Sequence, residues 1–87
     1  MNVTRTIVYV TASWCQPCKQ VWPHVEAVFP EVIKLDIESK DGVAVAGDTG
    51  VQSVPTLLVL DNGRPVHVLS GQITRRGLES LRAELDG

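Results

Sequence analysis

The chain is poor in several things that would have pointed elsewhere. Eight lysines and arginines stand against ten acidic residues, for a formal charge of −2 at pH 7. The basic residues are scattered, and no Lys/Arg run forms a stripe that could follow a phosphate backbone, which argues against nucleic-acid binding. Long apolar runs are missing too: the opening segment Met1 to Val10 holds one arginine and a single short apolar run, Ile7 to Val10. Such a run is too short for the core of a secretory signal and far too short for a membrane span, so the expected location is the cytoplasm, off any membrane. Only two cysteines are present, too few for the multiple disulfides that usually hold a small secreted domain together.

The 87 residues fit one domain, residues 1–87, with no room for a second. With 44% hydrophobic and 21% charged residues, the composition is that of a chain with a packed core. No internal repeat, low-complexity tract or long linker interrupts it.

Strand and helix patterns alternate along the sequence. Arg5 to Thr11 (RTIVYVT) is β-branched and apolar, as expected of a strand buried on both faces of a sheet. From Gln16, the positions Cys18, Val21, Trp22, Val25, Val28 and Phe29 recur at helical spacing. That helix should stop near Pro30 and kink at Pro23. Glu31 to Ile37 reads as a second strand, and Asp41 to Gly50 as a short helix running into turn residues Asp48 to Gly50. Thr56 to Leu60 is a third strand, and Asp61-Asn62-Gly63 tolerates the positive φ needed to fold it back onto Arg64 to Ser70 as an antiparallel hairpin. Pro65 should then lie at a strand start or edge. Thr74 can cap a last helix, Ile73 and Leu78 are spaced for a hydrophobic staple, and Leu78, Leu81 and Leu85 share one face. The order βαβαββα predicts an α/β fold in which a four-stranded mixed sheet is flanked by helices.

Cys15 and Cys18 stand where the first strand gives way to the first helix. Unpaired N–H groups and the positive end of the helix dipole favour a thiolate there, and Pro17 suits the first helical turn while stiffening the loop. Cys18, a turn further on and facing the apolar side, should be the less exposed sulfur. Cys15 would then attack a substrate disulfide to give a mixed disulfide, which Cys18 resolves, leaving a Cys15–Cys18 disulfide. Two other readings fit the same pair. A purely structural disulfide would close so short a loop that it saves little chain entropy. A zinc site would need more ligands, and neither His24 nor His67 stands at finger-like spacing from the pair.

Trp14-Cys15-Gln16-Pro17-Cys18-Lys19 resembles the W-C-G-P-C-K signature of the thioredoxin family, with Gln16 in place of glycine. Pro23 stands where that family has its helix-kinking proline. Lys34 to Ile37 resembles its next core strand, Gly50 to Gly63 includes a matching V-P-T turn, and Gly71 matches the glycine that opens the final loop. The resemblance spans essentially the whole chain. It implies a thioredoxin-like fold, a cis Val54–Pro55 peptide facing the cysteines, and a docking surface of Trp14, Val54, Pro55 and Gly71 around Cys15. The backbone of Val54 would pair with an extended client segment, and Trp14, Gln16, Pro17 and Pro55 would support the redox pair.

The resemblance further implies a thiol–disulfide oxidoreductase that binds no cofactor and draws electrons from NADPH through thioredoxin reductase. Its partners would be disulfide-containing client proteins, of which ribonucleotide reductase, peroxiredoxins and methionine sulfoxide reductases are family examples. A monomer is expected. Three departures stand out. The family's usual first strand and helix are absent, so the chain is closer in size to a glutaredoxin. Gln16 replaces glycine between the cysteines, where residues tune the dithiol–disulfide balance. Tyr9 occupies the position of a buried aspartate that helps move the proton of the second cysteine. Without that acid, Lys34 reads as a surface strand residue, although water, Lys34 or the departing client thiolate are candidate proton acceptors. Alternative functions are a glutathione-dependent, glutaredoxin-like reductase, a non-redox binding module, and a dithiol oxidase or isomerase.

Overall fold

Seven residues, Arg5–Thr11, form strand β1, and five of them are buried in succession. A strand of this kind needs cover on both faces. In the computed structural model, which describes residues 4–87, the cover comes from helices on either side of a four-stranded sheet. Met1, Asn2 and Val3, which the sequence reading includes in the opening segment of the domain, lie outside the described residues.

The element order is β1, α1 (Gln16–Val28), β2 (Ile33–Asp36), α2 (Lys40–Thr49), β3 (Thr56–Asp61), β4 (Arg64–Ser70) and α3 (Arg75–Asp86). The expected βαβαββα order is therefore present. Across the sheet the strands run β2-β1-β3-β4. β1 pairs in parallel with β2 and antiparallel with β3, and β3 pairs antiparallel with β4, so the sheet is mixed.

Alternation along the central strands sorts their side chains onto two faces. Ile7, Tyr9, Leu57 and Val59 point to one face, where they cluster with Cys18, Val25 and Phe29 of the α1 segment and Leu78 and Leu81 of α3. Val8, Val10 and Leu58 point to the other, against half-buried Val45 of α2, Val51 and Leu35. Each fully buried side chain of Leu or Phe size contributes about 1.5–3 kcal/mol.

The hairpin between β3 and β4 turns at Asn62 (φ 53°) and Gly63 (φ 83°), the two positive φ values a two-residue type I′ connection requires. Pro65 lies near the start of edge strand β4, beside a register shift at Val59/Leu60, where its missing N–H breaks no central ladder. Thr74 caps α3 by accepting from the Gly77 N–H at 3.0 Å. The staple partners Ile73 and Leu78 are both buried in the same cluster.

Two boundaries differ from the sequence reading. β2 is Ile33–Asp36, shorter than Glu31 to Ile37. A turn closed by Val32 N–H to Phe29 O (3.0 Å) takes Glu31, and a second, closed by Ser39 N–H to Asp36 O (3.0 Å), ends the strand before Ile37. Helix α2 starts at Lys40 and continues through Asp48 and Thr49 instead of yielding to a turn there. Ser39 caps its start by accepting from Gly42 N–H, Thr49 satisfies its own hydroxyl on Val45 O at 2.7 Å, and the left-handed residue is Gly50 alone (φ 81°). Gly42 presses α2 onto the strand end: a Cβ there would lie 1.8 Å from the Asp36 carbonyl oxygen. Helix α1 runs through Pro23 without interruption and ends at Val28, with Phe29 as its cap.

Candidate active site

The end of β1 delivers the cysteines. Ala12 is buried, and its carbonyl accepts from the Cys15 N–H at 3.1 Å, tightening the turn through Ser13 and Trp14. Cys15 is the N-cap of α1 in extended conformation, and Pro17 sits in the first turn. Cys15 and Cys18 are joined by a disulfide with their Cα atoms 5.3 Å apart. The Cys18 N–H points at the Cys15 sulfur, 3.2 Å away. In the reduced chain the same amide is a donor suited to stabilising a thiolate at Cys15, alongside the helix dipole.

Both cysteines are buried, and their residue exposures differ in the expected direction: Cys15 is 5% exposed and Cys18 0%. Both belong to the larger core cluster. Gln16 and Pro17 are exposed between them, and Trp14 stands 65% exposed beside Cys15. Its indole N–H donates to Glu38 Oε1 at 3.1 Å, a tie across sequence that fixes the ring over the turn before α2.

The sheet register places the other candidate residues at the same end. Val10 pairs with Thr56, and Thr56 with Ser70, so Pro55 and Gly71 lie one residue beyond a row that begins at the end of β1. The Val54–Pro55 peptide is cis, as the resemblance implies. Pro55 is buried, Val54 is half-buried against both apolar clusters, and Gly71 is exposed with a φ of 74°. The redox loop, the Val54–Pro55 turn and the Gly71 loop thus share one edge of the molecule.

Behind the cysteines lies a cleft of about 450 Å³ between the end of β1, the first turns of α1, and β2. Thr11, Ser13, Cys18, Trp22, Lys34 and Asp36 contribute to its walls. Lys34 is exposed on β2, as expected of a surface strand residue, yet its ammonium lies 4.7 Å from the centroid of the Trp22 ring, within cation–π range. Tyr9 is fully buried beneath the pair. Its hydroxyl donates to the carbonyl oxygen of Cys18 at 2.8 Å, and burial pushes its phenol up to about 12. In the sequence Tyr9 reads only as the loss of an acid; its bond to Cys18 depends on how α1 crosses β1, which no local pattern records. The Trp14–Glu38 tie was equally unreadable, since its partners are joined only by tertiary structure. Among the described residues no group of three or more His, Cys, Asp or Glu side chains is placed to hold a metal ion, and no helix is long and apolar enough to cross a membrane.

A disulfide between two cysteines one helical turn apart, at the N-terminus of a helix and on the rim of a mixed sheet, is an arrangement suited to thiol–disulfide exchange. Comparison with known proteins gives the family. A family model described as thioredoxin matches residues 2–84. The chain is 33% identical over 83 residues to the thioredoxin of Porphyra purpurea, covering 91% of this chain and 78% of that one. It is 36% identical over 76 residues to the thioredoxin of Bacillus subtilis (strain 168), covering 80% and 71%. Among solved structures, thioredoxin NaTrxh from Nicotiana alata superposes with a TM-score of 0.77 at 29% identity, over 92% of this chain and 71% of that one. A mutant thioredoxin from Halobacterium salinarum NRC-1 gives 0.75 at 28% identity, over 92% and 73%. The chain belongs to the thioredoxin family of thiol–disulfide oxidoreductases and has its fold, and Cys15 and Cys18 form a disulfide within a C-x-x-C motif.

Proposed function

We propose that this chain, as a single domain over residues 1–87, reduces disulfides of client proteins in the cytoplasm as a monomer and is recharged by a thioredoxin reductase with electrons from NADPH. Cys15 is the nucleophile and Cys18 the resolving cysteine. The Cys15 thiolate attacks a client disulfide, one client sulfur leaves as thiolate, and a mixed disulfide forms. Cys18, having lost its proton, attacks the Cys15 sulfur; the Cys15–client bond breaks and the second client thiolate departs. Two electrons pass to the client, and the Cys15–Cys18 disulfide remains.

The single observation that carries this reading is the placement of Cys15 at the N-cap, with the Cys18 N–H directed at its sulfur. The exposed Trp14, the half-buried Val54, Pro55 and Gly71 supply a mildly apolar rim on which an extended client segment would lie, its backbone pairing with that of Val54. Gln16 and Pro17 complete the loop, and no bound cofactor takes part.

The reductase half of the reading is tested by following NADPH loss with the oxidised chain and thioredoxin reductase, in parallel with glutathione plus glutathione reductase. Fast turnover in the first system alone is the expected result. Turnover only with glutathione would make this a glutaredoxin-like enzyme on a thioredoxin scaffold and would overturn the proposal.

A further inference from the structure

Tyr9 is the only tyrosine of the chain, and it lies wholly buried in central strand β1. A hydroxyl in that position must find a partner, because an unpaired buried polar group destabilises the fold. The partner is the carbonyl oxygen of Cys18, at 2.8 Å. The ring also lies against Trp22, one helical turn beyond Cys18, with centroids 5.4 Å apart and planes inclined by 33°. Tyr9 therefore grips α1 at two points, and one of them is the peptide unit of the second cysteine. With its phenol raised to about 12 by burial, the hydroxyl stays protonated near neutral pH. It is a donor there, and not a base.

We propose that Tyr9 is a positioning residue for the resolving step: its hydroxyl holds the backbone of Cys18 so that the Cys18 sulfur meets Cys15 in the mixed disulfide without further ordering of the first helical turn. The inference rests on the order of attack given above. In that step Cys18 gives its proton to water, its thiolate bonds to Cys15 Sγ, and the client sulfur leaves with the electron pair of the broken bond. Tyr9 transfers neither proton nor electron. It supplies orientation, to which displacement between held reactants is sensitive. The first attack, by Cys15 on the client, calls on the Cys18 N–H, which belongs to the Pro17–Cys18 peptide, and not on the Cys18 sulfur or on the Cys18–Lys19 peptide whose carbonyl Tyr9 holds. The two steps should therefore respond differently to loss of the hydroxyl.

Ellman's reagent separates them, since a reduced dithiol releases one thionitrobenzoate on first attack and a second on resolution. In Tyr9→Phe the first release should stay within about twofold of wild type, while the second slows about tenfold. Unchanged second release, or equal slowing of both, would overturn the proposal, the latter showing only a general loosening. Cys18→Ser should stop after the first release and Cys15→Ser should give none. A first release that survives in Cys15→Ser but not in Cys18→Ser would overturn the order of attack, and the role of Tyr9 with it. Should Tyr9→Phe fail to fold, the wild-type chain carries the test through its single phenol. Titrated by phenolate absorbance in the reduced protein, it should remain un-ionised well past its ordinary value of about 10. A midpoint near that ordinary value would mean that the phenol is solvated, and so no longer packed beneath Cys18, once the disulfide opens, and would overturn the proposal.

Discussion

The two faces of the sheet are built from alternate residues of the same strands, yet they are covered very differently. On one, α1 and α3 close over Ile7, Tyr9, Leu57 and Val59, and the cluster takes in Phe29, Leu78 and both cysteines. On the other, α2 covers only Val8, Val10 and Leu58 with half-buried neighbours. Val68, opposite Leu58 in the register, is left 53% exposed, and Val66 50%. The redox pair thus sits in the thicker of the two layers. Its sulfurs are core atoms as well as reactive ones, and the geometry that chemistry needs is held by the same packing that holds the fold.

That contrast can be broken by emptying each layer in turn. Phe29→Ala removes a fully buried ring from the thicker layer and should cost about 3–5 kcal/mol. Leu58→Ala, equally buried but in the thinner layer, where half-exposed neighbours can close in, should cost about 2–3 kcal/mol. Denaturant titration of both variants measures the difference, and equal losses would remove the distinction between the faces.

A smaller effect sharpens the same comparison at the rim of the thicker layer. Arg82 of α3 reaches Glu31, in the turn after α1, and its guanidinium lies 5.2 Å from the centroid of the Phe29 ring. Burial pushes the Glu31 carboxyl up, but the hydrogen bond and charge of Arg82, with a backbone hydrogen bond and Arg5, outweigh it and hold the group below its ordinary value. A depressed carboxylate stabilises the fold above its unfolded titration and loses that contribution as pH falls through its folded one. The Glu31 side chain is 48% exposed, so solvent screens the pair and Glu31→Gln should cost only about 0.2–1 kcal/mol near neutral pH. Chemical denaturation at neutral pH and again in acid checks this: the gap between wild type and variant should close in acid. A gap that persists there would mean packing, and not charge, carries the contact.

Much of this architecture can be read from local pattern. The β-branched run of β1, the apolar run of β3, the Asp61-Asn62-Gly63 turn and the Thr74 cap each carry their own chemistry, and each is where the pattern puts it. Cys15, Pro17 and Cys18 likewise announce a strand-to-helix junction. Helix α2 was blurred because Gly42, Gly47 and Asp48 have low helix propensity. Its Ser39 cap and the fit of Gly42 against the Asp36 carbonyl hold it in place. The site's internal ties were the least legible part. Tyr9 to Cys18, Trp14 to Glu38 and Lys34 over Trp22 all join separate elements, and their existence depends on crossing geometry rather than on spacing in sequence.

The proposed cycle makes Cys15 the attacking sulfur of a disulfide reductase. The most direct measurement is the reduction of insulin disulfides, followed by turbidity with dithiothreitol as electron source, for the wild-type chain and for Cys15→Ser with its fold checked by circular dichroism. Wild type should accelerate precipitation and folded Cys15→Ser should be no faster than dithiothreitol alone; a folded Cys15→Ser variant that still accelerated it would contradict the account.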